Sequence, residues 1–173
     1  LDLVREAEKL SMLIDISHLS DEGVEDVLNH TSCPIVATHS NARAIASNNR
    51  NLTDAQMAEI ARRGGLAGLN GCSIIASETK EGASQEKLIE HLDHMIDVMG
   101  EDHVGFGFDF FEFLDSDSMK SYSDQDDSRL KGMKDCSEVP VLIEKLRKAG
   151  FTEKELEMIS GGNWTNLIQR VLG

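Results

Sequence analysis

The stretch Met12–Ser40 reads MLIDISHLSDEGVEDVLNHTSCPIVATHS, and its two ends have the same form. At each end a short apolar run finishes in a histidine: Met12 to Ile16 leads to His18-Leu19-Ser20, and Ile35 to Thr38 leads to His39-Ser40. Runs of this kind, separated by a helix-like segment, predict parallel strands buried on both faces. Residues that end such strands sit at the C-terminal mouth of an α/β sheet or barrel, where loops hold catalytic groups. His18 and His39 are thus candidate metal ligands carried to one mouth by consecutive strands. Their separation in sequence does not decide the matter, because zinc ligands on separate strands obey no short spacing rule. Two strand-end histidines bonded to their neighbours are the competing reading. Alternation adds a caution: Asp15 and Ser17 fall on one side of the strand and His18 on the other, so its direction depends on how the strand ends.

Working outward, Ser20 offers an N-cap for a helix to about Asn29, with Asp21 and Glu22 at the positive end of its dipole and Val24, Val27 and Leu28 inward. Upstream, LDLVREAEKL predicts an amphipathic helix with Leu1, Val4 and Leu10 as its apolar positions. Leu1 is not a start methionine, no signal-peptide pattern is present, and the chain is expected to enter partway through a larger fold. Downstream, Asn41 to Ser47 suggests a short helix and Asn48 to Asn51 a polar loop. Thr53 with Gln56 makes a capping box before a helix from Asp54 to Arg63, which Gly64-Gly65 stops. Leu66 to Asn70 is a third strand, Gly71 to Ser84 a loop, Glu86 to Met99 an amphipathic helix, and Val104 to Phe108 a fourth strand ending at Asp109. Leu114 to Asp135 is rich in Asp and Ser and reads as a long mobile loop, either a lid over the mouth or a surface insert. Helices from Val139 to Lys148, Glu153 to Ile159 and Asn163 to Leu172 close the chain, the second behind the capping box of Thr152 and Glu155. Strands alternating with helices give an α/β fold with a parallel sheet, and four such units are half of an eight-unit barrel.

At 173 residues the chain suits one domain spanning positions 1–173. A net charge of −14 argues against a nucleic-acid partner, whose phosphates need a basic surface. No run approaches the roughly 20 apolar residues of a membrane span. Cys33, Cys72 and Cys136 are odd in number and form no CxxC pattern, so they read as buried fillers in a reducing, cytoplasmic setting.

Three further groups carry chemistry. Asp109, within GFGFDFF, is a carboxylate at a strand's C-terminal end ringed by phenylalanines, suited to act as a base on a metal-bound water. Gly105 and Gly107 beside it let bulky groups or neighbouring backbone approach closely. Arg50, flanked by asparagines in a mouth loop, suits bidentate capture of a substrate carboxylate, and Arg43 competes for that role by the same logic. His91 and His94 share a helix face, but the apolar stripe beside them favours packing or surface roles over metal binding. Ser17, Ser20 and Ser40 lie in no GxSxG elbow.

The runs IDISHLS, PIVATHSNARAI, RNLTDAQMAEIARRGGLAGLN, HLDHMIDVMGEDHVGFGFDF, GMKDCSEVP and GGNW, in that order, resemble the C-terminal half of the membrane dipeptidase family. That family belongs to the metal-dependent amidohydrolase superfamily of (β/α)8 barrels. The resemblance implies a two-zinc site at the barrel mouth that hydrolyses small dipeptides through a metal-bridging water, often accepting a D-residue at the C-terminal position. It assigns His18 and His39 to one zinc, Asp109 to the proton of the bridging water, and Arg50 to the substrate carboxylate. The family's strand ending is like SDFDG, whereas this chain reads FDFFE, with Phe111 and Glu112 in place of the second Asp and the Gly. The family's first half, with its remaining metal ligands, has no counterpart here. On that basis the chain alone is expected to be inactive, and to pair with a missing half or with a second copy as a homodimer. Two alternatives stand beside a dipeptidase: a metal-dependent amidohydrolase acting on an N-acyl amino acid or other small amide, and an inactive scaffold.

Overall fold

The computed structural model describes residues 2–111, 113 and 129–173. Its sheet has four parallel strands in sequential order: β1 (Ile14–Asp15), β2 (Ile35–Ala37), β3 (Leu66–Leu69) and β4 (Val104–Phe106). The pairing runs Ile14 to Ile35, Val36 to Leu66 and Ala67 to Val104, and continues as Gly68 to Gly105 and Leu69 to Phe106. Consecutive parallel neighbours require a crossover each time, and α2 (Asp21–His30), α3 (Asp54–Arg62) and α5 (Gln85–Met99) supply them. The arrangement is the α/β half-barrel of four βα units anticipated above. All four strands are shorter than their apolar runs, β1 most of all.

The helix starts are set locally. Ser20 accepts from the Gly23 amide at 3.2 Å, and both capping boxes, Thr53–Gln56 and Thr152–Glu155, are complete. Gly64, with φ +73°, ends α3 as a left-handed cap. Pleat alternation sends Ile35, Ala37, Ala67, Leu69 and Val104 into one core with Met57, Ile60, Leu88, Leu92 and Met95 of α3 and α5. Val36 and Leu66 point the other way, into a smaller cluster with Leu167 and Trp164 of α8 (Asn163–Leu172). The GGNW run explains this docking: Asn163 donates to the carbonyls of Glu101 and Val104, each at 2.7 Å, and Trp164 Nε1 donates to Phe106 O at 3.0 Å. A Cβ at Gly105 would lie 2.6 Å from Trp164 Nε1, so glycine is what admits the indole.

Several expectations are corrected. In α1 (Asp2–Lys9) Val4 is buried, but Leu10 lies beyond the helix and is 63 % exposed. Residues 41–47 form turns, not a helix, because Ala42 pairs with Leu52 in a parallel bridge. The expected loop from Gly71 to Ser84 contains a single helical turn, α4 (Ser73–Ala76). Of the acidic stretch, residues 114–128 lie outside the described residues, so the lid-or-insert question lies there too. The part that is described, 129–135, is anchored: Leu130 and Met133 are buried, and Arg129 bridges to Cys72. Helix α6 (Val139–Ala149) is followed by α7 (Glu153–Glu157), which runs through a π-helical turn at 158–162 into α8. Cys33 and Cys136 are exposed, not buried, and Cys72 is half-buried; none of the three is in a disulfide. Among the described residues no helix is long and apolar enough to cross a membrane.

Candidate metal centre at the strand ends

β1 stops at Asp15, and a turn at Ser17–His18 replaces the extended continuation. That turn resolves the alternation problem, because it swings His18 toward His39 just past the end of β2. The two Nε2 atoms stand 2.8 Å apart, with ring centroids at 4.8 Å and planes tilted by 53°. Arg50 Nη2 lies 3.2 Å from the same His18 Nε2.

The loop that presents Arg50 is held from below. Arg43 grips both carboxylate oxygens of Asp21, at 2.8 and 2.9 Å, and donates to the carbonyls of Asn49 and Asn51 at 3.1 and 2.8 Å. This fork holds the Asp21 carboxyl down at a pKa of about 2. Arg43 is therefore committed to bracing the loop, and Arg50 is the guanidinium that faces the histidines. Burial pulls the pKa of Arg50 down, opposed by the charges of Asp109 and Asp15, yet a guanidinium stays protonated throughout.

Asp109 adopts φ +59°, a left-handed conformation that few residues other than glycine, asparagine and aspartate tolerate. Asn70, one residue past β3, donates from Nδ2 to Asp109 Oδ2 at 3.5 Å. The Asp109 charge raises the pKa of His18, but burial first, then Arg50 and His39, together outweigh it and leave His18 below its ordinary value. The fold thus brings His18, His39, Arg50 and Asp109 to one mouth.

Donor bookkeeping tests whether this mouth suits a metal. A guanidinium only donates, so the Arg50 contact requires a lone pair on His18 Nε2. His39 Nε2 lies 2.8 Å from the same atom, so a divalent cation drawing on both rings would replace the Arg50 contact and any hydrogen between the two nitrogens. Two nitrogens on one tetrahedral zinc stand roughly 3.4 Å apart, so the rings need to part by about half an ångström. The donor set fits a divalent ion in kind but not in number: among the described residues no cluster of three or more His, Cys, Asp or Glu is placed to hold one.

Residues not marked by the sequence motifs support the site. Asp15 accepts at Oδ1 from the amides of Ser17 and Thr38, both at 3.0 Å, and from Ser17 Oγ at 2.7 Å, while its Oδ2 takes the Thr38 hydroxyl. Burial raises its pKa, but these hydrogen bonds outweigh it and hold the carboxyl below its usual value. Beneath the loops, buried Asn41 and Asn70 exchange bonds, Nδ2 to Asn70 O at 3.2 Å and Asn70 N to Oδ1 at 2.9 Å. Buried Asn51 ties the same layer to Ala46 and Ile75. The available signal is a polar residue at the ends of β1, β2 and β3: Asp15, Thr38 and Asn70.

Other candidates separate cleanly. His91 is fully buried, accepting from the Ala42 amide at 3.2 Å and donating to Ala76 O at 2.9 Å, whereas His94 pairs with Asp54 at the surface. His30 and His103 bond backbone carbonyls. A small cleft of about 10 Å³ beside Asp109 is lined by Phe108, Phe110 and Phe111 on one side and by Cys72, Arg129 and Met133 on the other.

Comparison with known proteins gives this geometry a context. The family described as membrane dipeptidase (peptidase family M19) matches residues 1–172. An uncharacterized protein in the pqqA 5′ region of Klebsiella pneumoniae is 32 % identical over 99 % of this chain and 59 % of its own length. The dipeptidase tcpJ of Claviceps purpurea is 26 % identical over 98 % of this chain and 37 % of its own. The crystal structure of a metallo peptidase from Rhodobacter sphaeroides, liganded with a phosphinate mimic of the dipeptide L-Ala-D-Ala, superposes with a TM-score of 0.84 at 36 % identity. That match covers 98 % of this chain and 45 % of that one. The chain therefore spans between 37 % and 59 % of the length of these relatives.

Proposed function

This chain belongs to the membrane dipeptidase family, peptidase family M19, and from that premise we propose that it forms the C-terminal part of a zinc-dependent active site hydrolysing small dipeptides. The observation that carries this reading is the convergence of His18 and His39 through their Nε2 atoms, with Arg50 against the first of them. His18 and His39 would hold the metal, the remaining ligands coming from outside the described residues. A bound metal acidifies a water and polarises the scissile carbonyl.

The chain's own residues supply the rest. Arg50 binds the substrate's terminal carboxylate; its partial burial strengthens a charge-assisted fork relative to one in open water. Asn70 engages Oδ2 of Asp109, and Oδ1 is the atom we assign to accepting the water's proton and passing it to the leaving amine. Acceptance of a D-residue at the C-terminal position is part of the reading, supported by the L-Ala-D-Ala mimic carried by the Rhodobacter sphaeroides structure.

The test is metal content by elemental analysis of the intact protein beside His18→Ala and His39→Ala, followed by a panel of L,L- and L,D-dipeptides. About two zinc per site, falling on substitution, with turnover of dipeptides, is the expected result; no stoichiometric metal in the unaltered protein would sink it. A second reading, hydrolysis of an N-acyl amino acid or other small amide, draws on the FDFFE sequence at Asp109, where Phe111 and Glu112 stand in place of the family's second Asp and Gly. Metal-dependent turnover of acyl amino acids but of no dipeptide would favour it.

A further inference from the structure

We propose that the Asp21–Arg43 pair is specificity-determining: it fixes how far Arg50 stands from the strand ends, and so selects substrates by the number of bonds between the scissile amide and the carboxylate. Asp21 lies in the first turn of α2, just past the turn that carries His18. Arg43 opens the loop that carries Arg50, and works with two edges of its guanidinium. Nη1 and Nη2 donate to the two oxygens of Asp21, at 2.9 and 2.8 Å. Nε and Nη2 donate to the carbonyls of Asn51 and Asn49, at 2.8 and 3.1 Å, and these residues stand on either side of Arg50. Between them the Arg50 amide donates to Asn48 Oδ1 at 2.9 Å, so the backbone is held at three consecutive residues. The Arg43 amide closes the loop on Leu52 O at 2.8 Å.

Asp21 is held in turn from α3. Gln56 Oε1 accepts the Thr53 amide at 2.9 Å within the capping box, which fixes the orientation of the side-chain amide. Its Nε2 therefore faces Asp21 Oδ1 and donates to it at 3.2 Å. The Arg43 side chain is only 21 % exposed and its grip on Asp21 is bidentate, so the pair holds a defined geometry that an ordinary surface pair does not. Two crossover helices and the Arg50 loop are thus tied at one carboxylate. In a dipeptide ending in an α-amino acid, one carbon separates the scissile nitrogen from the terminal carboxylate; a C-terminal β-amino acid inserts a second. A rigid span between the metal ligands and Arg50 accepts one of these and strains the other, whereas a slack span accepts both. Misplacement by about 1 Å can cost on the order of 100-fold in rate.

The inference rests on the reading of Arg50 as the group that binds the substrate carboxylate at a metal-dependent site. In the intact protein, unaltered and as Asp21→Asn, Asp21→Ala and Arg43→Lys, kcat and KM are measured for dipeptides ending in alanine and in β-alanine. Hydrogen exchange of the amides from Asn49 to Leu52 is followed beside them. The unaltered protein is expected to prefer alanine by on the order of 100-fold in kcat/KM, and the variants by roughly tenfold or less. KM for the alanine substrate should rise more than kcat falls, and the loop amides should exchange faster at unchanged metal content. Arg43→Lys keeps the charge without the fork and should match Asp21→Asn. Should Asp21→Ala not fold, Asp21→Asn and Arg43→Lys carry the comparison. An unchanged preference, unchanged exchange, or an equal loss for both substrates overturns the inference. Should no dipeptide be turned over, the dipeptidase reading falls alone, and the same preference is read on N-acetyl-alanine against N-acetyl-β-alanine. No turnover of either pair overturns both.

Discussion

Asp109 illustrates how a single residue can be both strained and useful. Its positive φ is one that asparagine also tolerates, so Asp109→Asn removes the charge without disturbing the backbone. In the active assembly this variant should lose on the order of 10²- to 10⁴-fold in kcat while melting at the same temperature; retained turnover would remove Asp109 from the proton's path. Arg50→Met should act differently, raising KM for a dipeptide about tenfold to a hundredfold with a smaller effect on kcat, as expected when one charge-assisted contact to the ground state is lost. His91 bears on stability and not on chemistry. It titrates at about 4 in the folded chain, because burial outweighs its bond to Ala76, against about 6.5 when unfolded. Below the unfolded value the unfolded chain binds more protons, so folding stability should decline as pH falls from about 6.5 to about 4, by up to roughly 3 kcal/mol. Denaturant unfolding at several pH values, on the unaltered chain and on His91→Gln, checks this: the slope belongs to His91 and should flatten in the variant.

At the level of elements, the features legible in the sequence were those encoded within a few residues. Ser20, Thr53 and Thr152 each announce a helix start, and the stripe of Leu88, Leu92 and Met95 gives the inward face of α5 directly. What was not legible depends on partners distant in sequence. Ala42 to Ala46 has respectable helix formers, but bonds from Asn51 and pairing with Leu52 hold it in turns. Leu130 and Met133 are isolated apolar residues in a polar stretch, with no period to mark them as core. His18, His39, Arg50 and Asp109 stand out as candidates from their places at strand ends and in a mouth loop, and the resemblance assigns them the same roles, whereas Asp15 and Thr38 emerge only once two strand ends lie side by side. The glycines of β3 and β4 offer a test at this scale. A Cβ on Gly107 would fall 1.8 Å from Thr38 O, so Gly107→Ala should force the strand ends apart and cost on the order of 3 kcal/mol. Gly161→Ala, with nothing within 4 Å of the added carbon, should be close to neutral in the same thermal melts.

Over the whole molecule, charge and edges dominate. A net charge of −14 on 173 residues implies self-repulsion that salt relieves. The melting temperature should therefore rise between low salt and about 0.5 M, and a flat response would show that local ion pairs such as Arg43–Asp21 already balance the field. β1 and β4 are the outer strands of the described sheet, each only two or three residues long. The carbonyl of Thr38 sits wedged between Gly68 and Gly107, where an added Cβ on either would come within about 2 Å of it. Spacing between the strand ends that carry His39, Asn70 and Asp109 is thus written in main chain, while the aromatic wall next to it is written in side chains. Under the function proposed above, exchange of a side chain such as Phe111 can alter what the mouth accepts while the three backbones around Thr38 keep the separation of its strand ends, so selectivity and reactivity are carried by different parts of the chain.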